Sequence, residues 1–431
     1  MTTKKTPMFR LLMCAALAMA LCFSAALPVF AAGSPIEGTE SDPAEAAITK
    51  RLVMPYGTAT PNATFTFTIT KVSFDDDDSA PAKASMPDLG VTKTVNISSA
   101  DDATEDAAAG TKTINKESSY LLAGANWPHA GVYVYTVTEE AAPVLDSFAE
   151  KMTYSSAEYT LTVYVDNKAD GSGLYVRYIA AVVEVVDNPA HAKGDKVDPR
   201  PGDKKVTPGG YSQMIFTNTY LKNNGGTDPG DAVFTLSKMV SGLASDQTKP
   251  FLFNVKVTGP TVAATTNTYK AYLFENGSVV GTIPASVTDA GNVKSDGTRD
   301  YIEFTTGAAI NVNLKHNQKL SFIDLPVGSK FEVTEAATPD YRPSCDLLFS
   351  KQPTALTLNA DKHGEPLATN SRFIGENENK AAFTNAYKTV TPTGIIVDNL
   401  PYLVLIGAAL AAFAGFAVFK ARKRAKQRTF N

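Results

Sequence analysis

Two pentapeptides, Phe216-Thr217-Asn218-Thr219-Tyr220 and Phe383-Thr384-Asn385-Ala386-Tyr387, each close a block of strand-like sequence. In an extended strand alternate side chains share a face, so Phe, Asn and Tyr point the same way. Two of the three are large and apolar, which places an asparagine amide in the interior. A buried amide is costly unless something satisfies it. Two further repeated segments supply the partners. Ile48-Thr49-Lys50-Arg51-Leu52 opens block one, and Phe234-Thr235-Leu236-Ser237-Lys238-Met239-Val240 opens block two. Parity puts Lys50 with Ile48 and Leu52, and Lys238 with Leu236 and Val240. In mid-block, Tyr133-Val134-Tyr135-Thr136-Val137-Thr138-Glu139 is mirrored by Phe331-Glu332-Val333-Thr334-Glu335. Glu139 aligns with Tyr135 and Val137, and Glu335 with Phe331 and Val333. Each block therefore aims one Lys, one Glu and one Asn at its apolar interior.

The plainer interpretation of each trio is a structural Lys–Glu pair capped by an amide. The chemical one starts from desolvation, which lowers a lysine pKa and raises a glutamate pKa, so that a buried pair can exist as neutral amine and neutral acid. A neutral amine fixed against an amide carbonyl is an oriented nucleophile. The glutamate can donate a hydrogen bond to the carbonyl oxygen and shuttle protons as ammonia leaves. The product is a Lys–Asn isopeptide bond, made once: Lys50 to Asn218 assisted by Glu139, and Lys238 to Asn385 assisted by Glu335. Lys71 shares parity with Phe65, Phe67 and Ile69 and is the rival nucleophile in block one. Its counterpart Lys256 breaks parity with Phe251 and Phe253, which favours Lys50.

The elements that must position these groups are strands. Ala63-Thr64-Phe65-Thr66-Phe67-Thr68-Ile69-Thr70, Tyr159-Thr160-Leu161-Thr162-Val163-Tyr164-Val165 and Tyr175-Val176-Arg177-Tyr178-Ile179 alternate at period two, and long amphipathic helices are missing outside the termini. Each block, 45–221 and 231–388, has the size of one sandwich domain with insertions, and the turn-rich stretch 222–230 links them. Asp75 to Asp78 lacks the spaced ligands and glycine of a calcium loop and is expected at a solvated hairpin tip. Gly194 to Gly210 is expected to be an exposed loop carrying Lys196, Lys204 and Lys205. The four histidines lack metal-ligand spacing, and neither a phosphate loop nor a nucleophile elbow is present. No metal, no cofactor and no turnover enzyme are expected, and Trp127 is expected to pack.

The termini read as export and anchoring. Lys4, Lys5 and Arg10 precede an apolar run from Leu11 to Leu27, with small residues at Val29, Ala31 and Ala32, so residues 1–32 are expected to be a signal peptide. Cys14 and Cys22 leave with it, and a mature chain holding only Cys345 cannot form an internal disulfide. Leu400 to Phe419 is uncharged and long enough to span a bilayer, and the basic stretch 420–431 that follows belongs on the cytoplasmic side. Removal of the leader, with three positive residues, and of the segment after Thr393, with a net charge of plus five, takes the formal charge from −4 to −12. An acidic, threonine-rich exterior argues against nucleic-acid binding.

At Lys50, Glu139, Asn218 and their block-two counterparts the chain resembles the streptococcal-type pilin isopeptide-linkage domains of Gram-positive surface proteins. Block two, with Leu325-Pro326-Val327-Gly328 before Phe331-Glu332-Val333-Thr334-Glu335, is similar to Cna-B-like modules. The resemblance implies an all-β protein: two tandem immunoglobulin-like β-sandwich domains between a signal peptide and a C-terminal transmembrane helix. Val390-Thr391-Pro392-Thr393-Gly394, ahead of the apolar span and basic tail, resembles the sorting signal of sortase substrates, although its proline is shifted from the usual L-P-x-T-G. That similarity implies cleavage between Thr393 and Gly394 and transfer of the Thr393 carbonyl to an amine. The acceptor is expected on a neighbouring pilin subunit, with Lys196, Lys204 and Lys205 as candidates, or on cell-wall peptidoglycan. The expectation is a structural subunit of a sortase-assembled pilus or fibre, anchored at a Gram-positive cell surface and able to meet a host ligand. The alternatives are a monomeric wall-anchored adhesin or stalk and, disfavoured by the missing site residues, an exported enzyme or receptor.

Overall fold

A computed structural model describes residues 37–90, 92–140, 147, 149–187, 191–204, 210–262, 268–388 and 400–427. The leader at 1–32 with Cys14 and Cys22, Lys205, and the 390–394 signal with Thr393 and Gly394 lie outside the described residues. The chain divides into two compact units, one ending at Lys222 and the next beginning at Asn223. Among the described residues the protein is nearly all-β.

Among the described residues, the first unit holds a five-stranded and a six-stranded sheet. Its opening strand, Thr49–Pro55, pairs in parallel with its closing strand, Ile215–Lys222. The acid-bearing strand, Gly131–Glu139, belongs to the other sheet, between Ala63–Phe74 and Glu158–Asn167. The strand interiors alternate apolar and threonine residues, and the burial follows that alternation: Phe65 and Phe67 are buried, while Thr66 and Thr68 are only partly so. Phe216 packs edge-on to Phe67 at 5.0 Å and to Tyr159 at 5.2 Å between ring centroids. The Tyr159 hydroxyl donates to the Ile215 carbonyl at 2.8 Å, so this buried phenol is satisfied. Trp127 packs against Tyr133, 4.8 Å between centroids.

The second unit repeats the plan. Phe234–Ser241 opens it and pairs in parallel with the closing strand Asn379–Tyr387 in one sheet, while Lys330–Glu335 lies in the other. Phe253 meets Phe383 edge-on at 5.1 Å, as Phe67 meets Phe216 in the first unit.

Several local expectations are refined. Asp75 and Asp76 turn the chain with left-handed φ of 48° and 63°, and an Asp75 oxygen accepts from the Val132 amide at 2.7 Å. They lead into a short helix, Ala80–Ser85, rather than a hairpin tip. Lys196 lies in a two-residue strand, Lys196–Val197, paired with Ala181 and Val182. The 222–230 stretch is partly structured: Lys222 ends the closing strand of the first unit, and the Asn224 side chain donates to the Glu376 carbonyl within the second. The terminal helix, Leu400–Gln427, runs beyond Phe419 because the Lys, Arg, Ala and Gln residues that follow are good helix formers. Its Val404–Lys423 stretch is long and apolar enough to cross a membrane.

Candidate functional site

The parallel pairing of opening and closing strands is what brings each lysine to its asparagine. In the first unit Lys50 is in register with Phe216 and Leu52 with Asn218; in the second, Lys238 is in register with Phe383 and Val240 with Asn385. The asparagine thus stands two residues beyond the lysine's partner in both units, on the same inward face. The glutamate arrives from the opposite sheet, so the three groups meet between the layers.

In the first unit Lys50 Nζ donates to Glu139 Oε2 at 2.7 Å, and Asn218 Nδ2 donates to Glu139 Oε1 at 2.8 Å. Lys50 and Asn218 are fully buried, and the Glu139 side chain is 1% exposed. The lysine nitrogen sits 4.6 Å from the centroid of Phe65 and 5.9 Å from that of Phe67. These two rings exclude water from the amine. In the second unit Lys238 Nζ donates to Glu335 Oε1 at 2.8 Å under Phe251 and Phe253, at 4.2 and 5.7 Å. Asn385 Nδ2 donates to that same Glu335 oxygen at 2.6 Å.

Burial pushes Lys50 down to about 8 against the opposing pull of Glu139, and pushes Lys238 down to about 8 against Glu335. The same desolvation raises the pKa of both Glu139 and Glu335. Each shift moves its group toward the neutral form.

The sequence-derived residues therefore come together in two trios: Lys50, Glu139 and Asn218, and Lys238, Glu335 and Asn385. Lys71 does not join them. It pairs with Asp88 at 2.6 Å near the rim, where its strand carries an irregularity between Lys71 and Ser73. Lys204 pairs with Asp42 at 2.6 Å with 34% of its side chain exposed and does not join the first unit's trio. Sequence reasoning missed three neighbours. In the first unit the Ser155 amide donates to Asn218 Oδ1 at 2.7 Å, and Asp187 holds the Ser155 hydroxyl. In the second unit the buried Cys345 thiol, pushed up by burial, lies close enough to feel Glu335 and Lys238. The carboxyls also differ from the expected pose: Glu139 and Glu335 face the amide nitrogen rather than the carbonyl oxygen.

The chemistry open to this arrangement is amide exchange at asparagine. The ion pair and the neutral pair hold the same number of protons, so pH does not interconvert them; it adds or removes the shared proton. In acid the amine stays charged. Above about 8 the pair loses its shared proton, leaving a neutral amine beside a carboxylate that relays the amine's own proton to the leaving nitrogen. The expected rate rises with pH and levels off above about 8. It is checked by refolding never-folded chain from denaturant at set pH and timing the loss of ammonia by mass. A free amine acting alone would instead keep accelerating as pH rises.

Residues 46–221 match the family described as the Spy0128-like isopeptide containing domain. Residues 233–387 match a family described as a domain of unknown function, DUF7601. Among solved structures, a point mutant of the major pilin from Streptococcus pyogenes aligns with 17% identity over 79% of this chain and 99% of its own, at a TM-score of 0.32. The unmutated pilin aligns with 17% identity over 79% and 98%, at 0.30. The T-13 major pilin from serotype GAS131465 of the same species aligns with 16% identity over 80% and 97%, at 0.29. A search of curated proteins found no match.

Proposed function

We propose that this chain is a pilus-type structural subunit that seals each of its two domains with a self-formed Lys–Asn isopeptide bond and is joined to its neighbours by a sortase. One observation carries the reading. In both units a desolvated lysine and an asparagine lie on adjacent, parallel first and last strands in the same register, with a buried glutamate bonded to each. A merely structural ion pair would not require the asparagine, nor this placement at the two ends of the domain.

In this reading the amine of Lys50 attacks the Asn218 carbonyl carbon, Glu139 takes the proton released by the attacking nitrogen, and the same carboxyl supplies a proton to the departing ammonia. Lys238, Glu335 and Asn385 do likewise. The modification happens once and is not turnover. The chain is then a surface protein held by its C-terminal apolar helix until a sortase cleaves after Thr393 and passes that carbonyl to a lysine of the next subunit. Lys196, Lys204 and Lys205 are the candidate acceptors, and the wall peptidoglycan is the alternative.

Detergent gels of wall digests test the assembly step. A high-molecular-weight ladder is expected, lost on Thr393→Ala and collapsed when Lys196, Lys204 and Lys205 are all changed to alanine. A single band from the unaltered chain would instead identify a monomeric wall-anchored stalk.

A further inference from the structure

We infer that the backbone amide of Ser155 is the oxyanion donor for bond formation in the first unit, and that Asp187 is the positioning residue that holds it there. The inference rests on the isopeptide reading above and adds to it the group that stabilises the tetrahedral intermediate.

The Asn218 amide is gripped from both ends. Its nitrogen donates to Glu139 Oε1, and its oxygen accepts from the Ser155 N–H at 2.7 Å. A backbone N–H can only donate, so this contact fixes which end of the amide is oxygen. Ser155 lies in the turn between the strands Glu150–Thr153 and Glu158–Asn167. Its hydroxyl donates to Asp187 and accepts from the Ala157 amide at 3.1 Å, which locks the turn. The same Asp187 oxygen accepts from the Thr217 amide at 3.1 Å, next to the reacting asparagine. Asp187 therefore ties the Ser155 turn to the closing strand. Its other oxygen is buried with no hydrogen-bond partner among the described residues. Burying a carboxylate so incompletely satisfied carries a cost, which the fixed placement of the Ser155 amide against Asn218 offsets.

Three hydrogen bonds then map onto the three charges that move. When the neutral Lys50 amine adds to the Asn218 carbonyl carbon, the C–N bond forms and the carbonyl π pair becomes an alkoxide at Oδ1, against the Ser155 N–H. Glu139 Oε2, already at the attacking nitrogen, receives its proton. Oε1, already at Nδ2, returns a proton to the leaving nitrogen. The alkoxide pair then reforms the carbonyl, the Cγ–Nδ2 bond breaks, and ammonia departs with no net change at Glu139. The second unit lacks this arrangement. Among the described residues Asn385 Oδ1 and Glu335 Oε2 have no hydrogen-bond partner, and both nitrogens share Glu335 Oε1.

The test follows ammonia loss by time-resolved intact mass in full chain refolded from the never-folded state, with proteolytic fragments assigning each bond to its unit. Removing a donor of this kind slows acyl chemistry by about a hundredfold or more. That is the expectation for first-unit bond formation in Ser155→Pro, which deletes the N–H. Ser155→Ala and Asp187→Ala, which keep the N–H but free the turn, are expected to slow it at least tenfold, and Ser155→Thr to restore it. The second-unit bond serves as the internal control and should keep its rate in every variant. First-unit bonds forming at the unaltered rate in Ser155→Ala and Asp187→Ala would overturn the assignment. So would an equal slowing of both units, which marks a general folding defect. Failure of the underlying reading looks different, because the unaltered chain would then lose no ammonia from either unit.

Discussion

Glu139→Ala is expected to make the folded protein heavier, relative to the mass calculated for that substitution with both bonds formed, by one ammonia. The first-unit bond fails to form and the second-unit bond is untouched. A link from Lys50 to Asn218 closes almost the whole domain into a loop, and the chain-entropy relation assigns such a loop on the order of 5 kcal/mol. The variant also leaves Lys50 buried without its acid, a defect of about 3–5 kcal/mol in comparable pairs. For a domain of this size the two together lower the first unit's melting temperature by roughly 20 °C or more. The double variant Lys50→Met, Glu139→Leu separates the contributions. It removes the bond and both charges but keeps the packing against Phe65 and Phe67, so only the loop-closure loss should remain, a fall of about 10–20 °C. Differential scanning calorimetry alongside intact mass checks both. Glu335→Ala should act on the second unit alone in the same way.

The second large effect is mechanical. Each opening strand runs parallel to its closing strand, so pulling the two ends of a unit shears that pair, and the proposed Lys–Asn link would lie across it. In the unaltered chain a force-extension experiment should show neither unit lengthening before the covalent bonds fail. Glu139→Ala should restore an ordinary unfolding event. At about 3.4 Å per residue, the chain between Lys50 and Asn218 would add roughly 570 Å of contour length. Glu335→Ala should release a separate event of roughly 500 Å from the stretch between Lys238 and Asn385. Unfolding steps of these lengths in the unaltered protein would mean that the strands are held by hydrogen bonds only.

Much of this was legible in the sequence because strands have a period of two. Counting from Phe216 and Tyr220 to Asn218, from Ile48 and Leu52 to Lys50, and from Val137 to Glu139 identifies inward-facing residues without knowledge of the sheets. The duplication of all three segments then separates design from accident. Parity could not decide between Lys50 and Lys71, since both sit on apolar faces. Only the strand pairing shows that Lys50 lies in the core, while Lys71 reaches the rim and Asp88. Ser155 and Asp187 were invisible for a different reason. They belong to a turn and to the end of another strand's connection, where no periodicity marks which way a group points. Their meeting depends on how the Glu158–Asn167 and Leu174–Val185 strands register, a long-range fact. Cys345 carried no signal either, because a buried cysteine reads as a small apolar residue until its neighbours are known.

The most direct test is the intact mass of the folded, unaltered mature chain under denaturing conditions. The account predicts a mass below that calculated from the sequence by two ammonias, with cross-linked peptides joining Lys50 to Asn218 and Lys238 to Asn385. A mass equal to the calculated value would contradict it and leave two buried ion pairs with no covalent role.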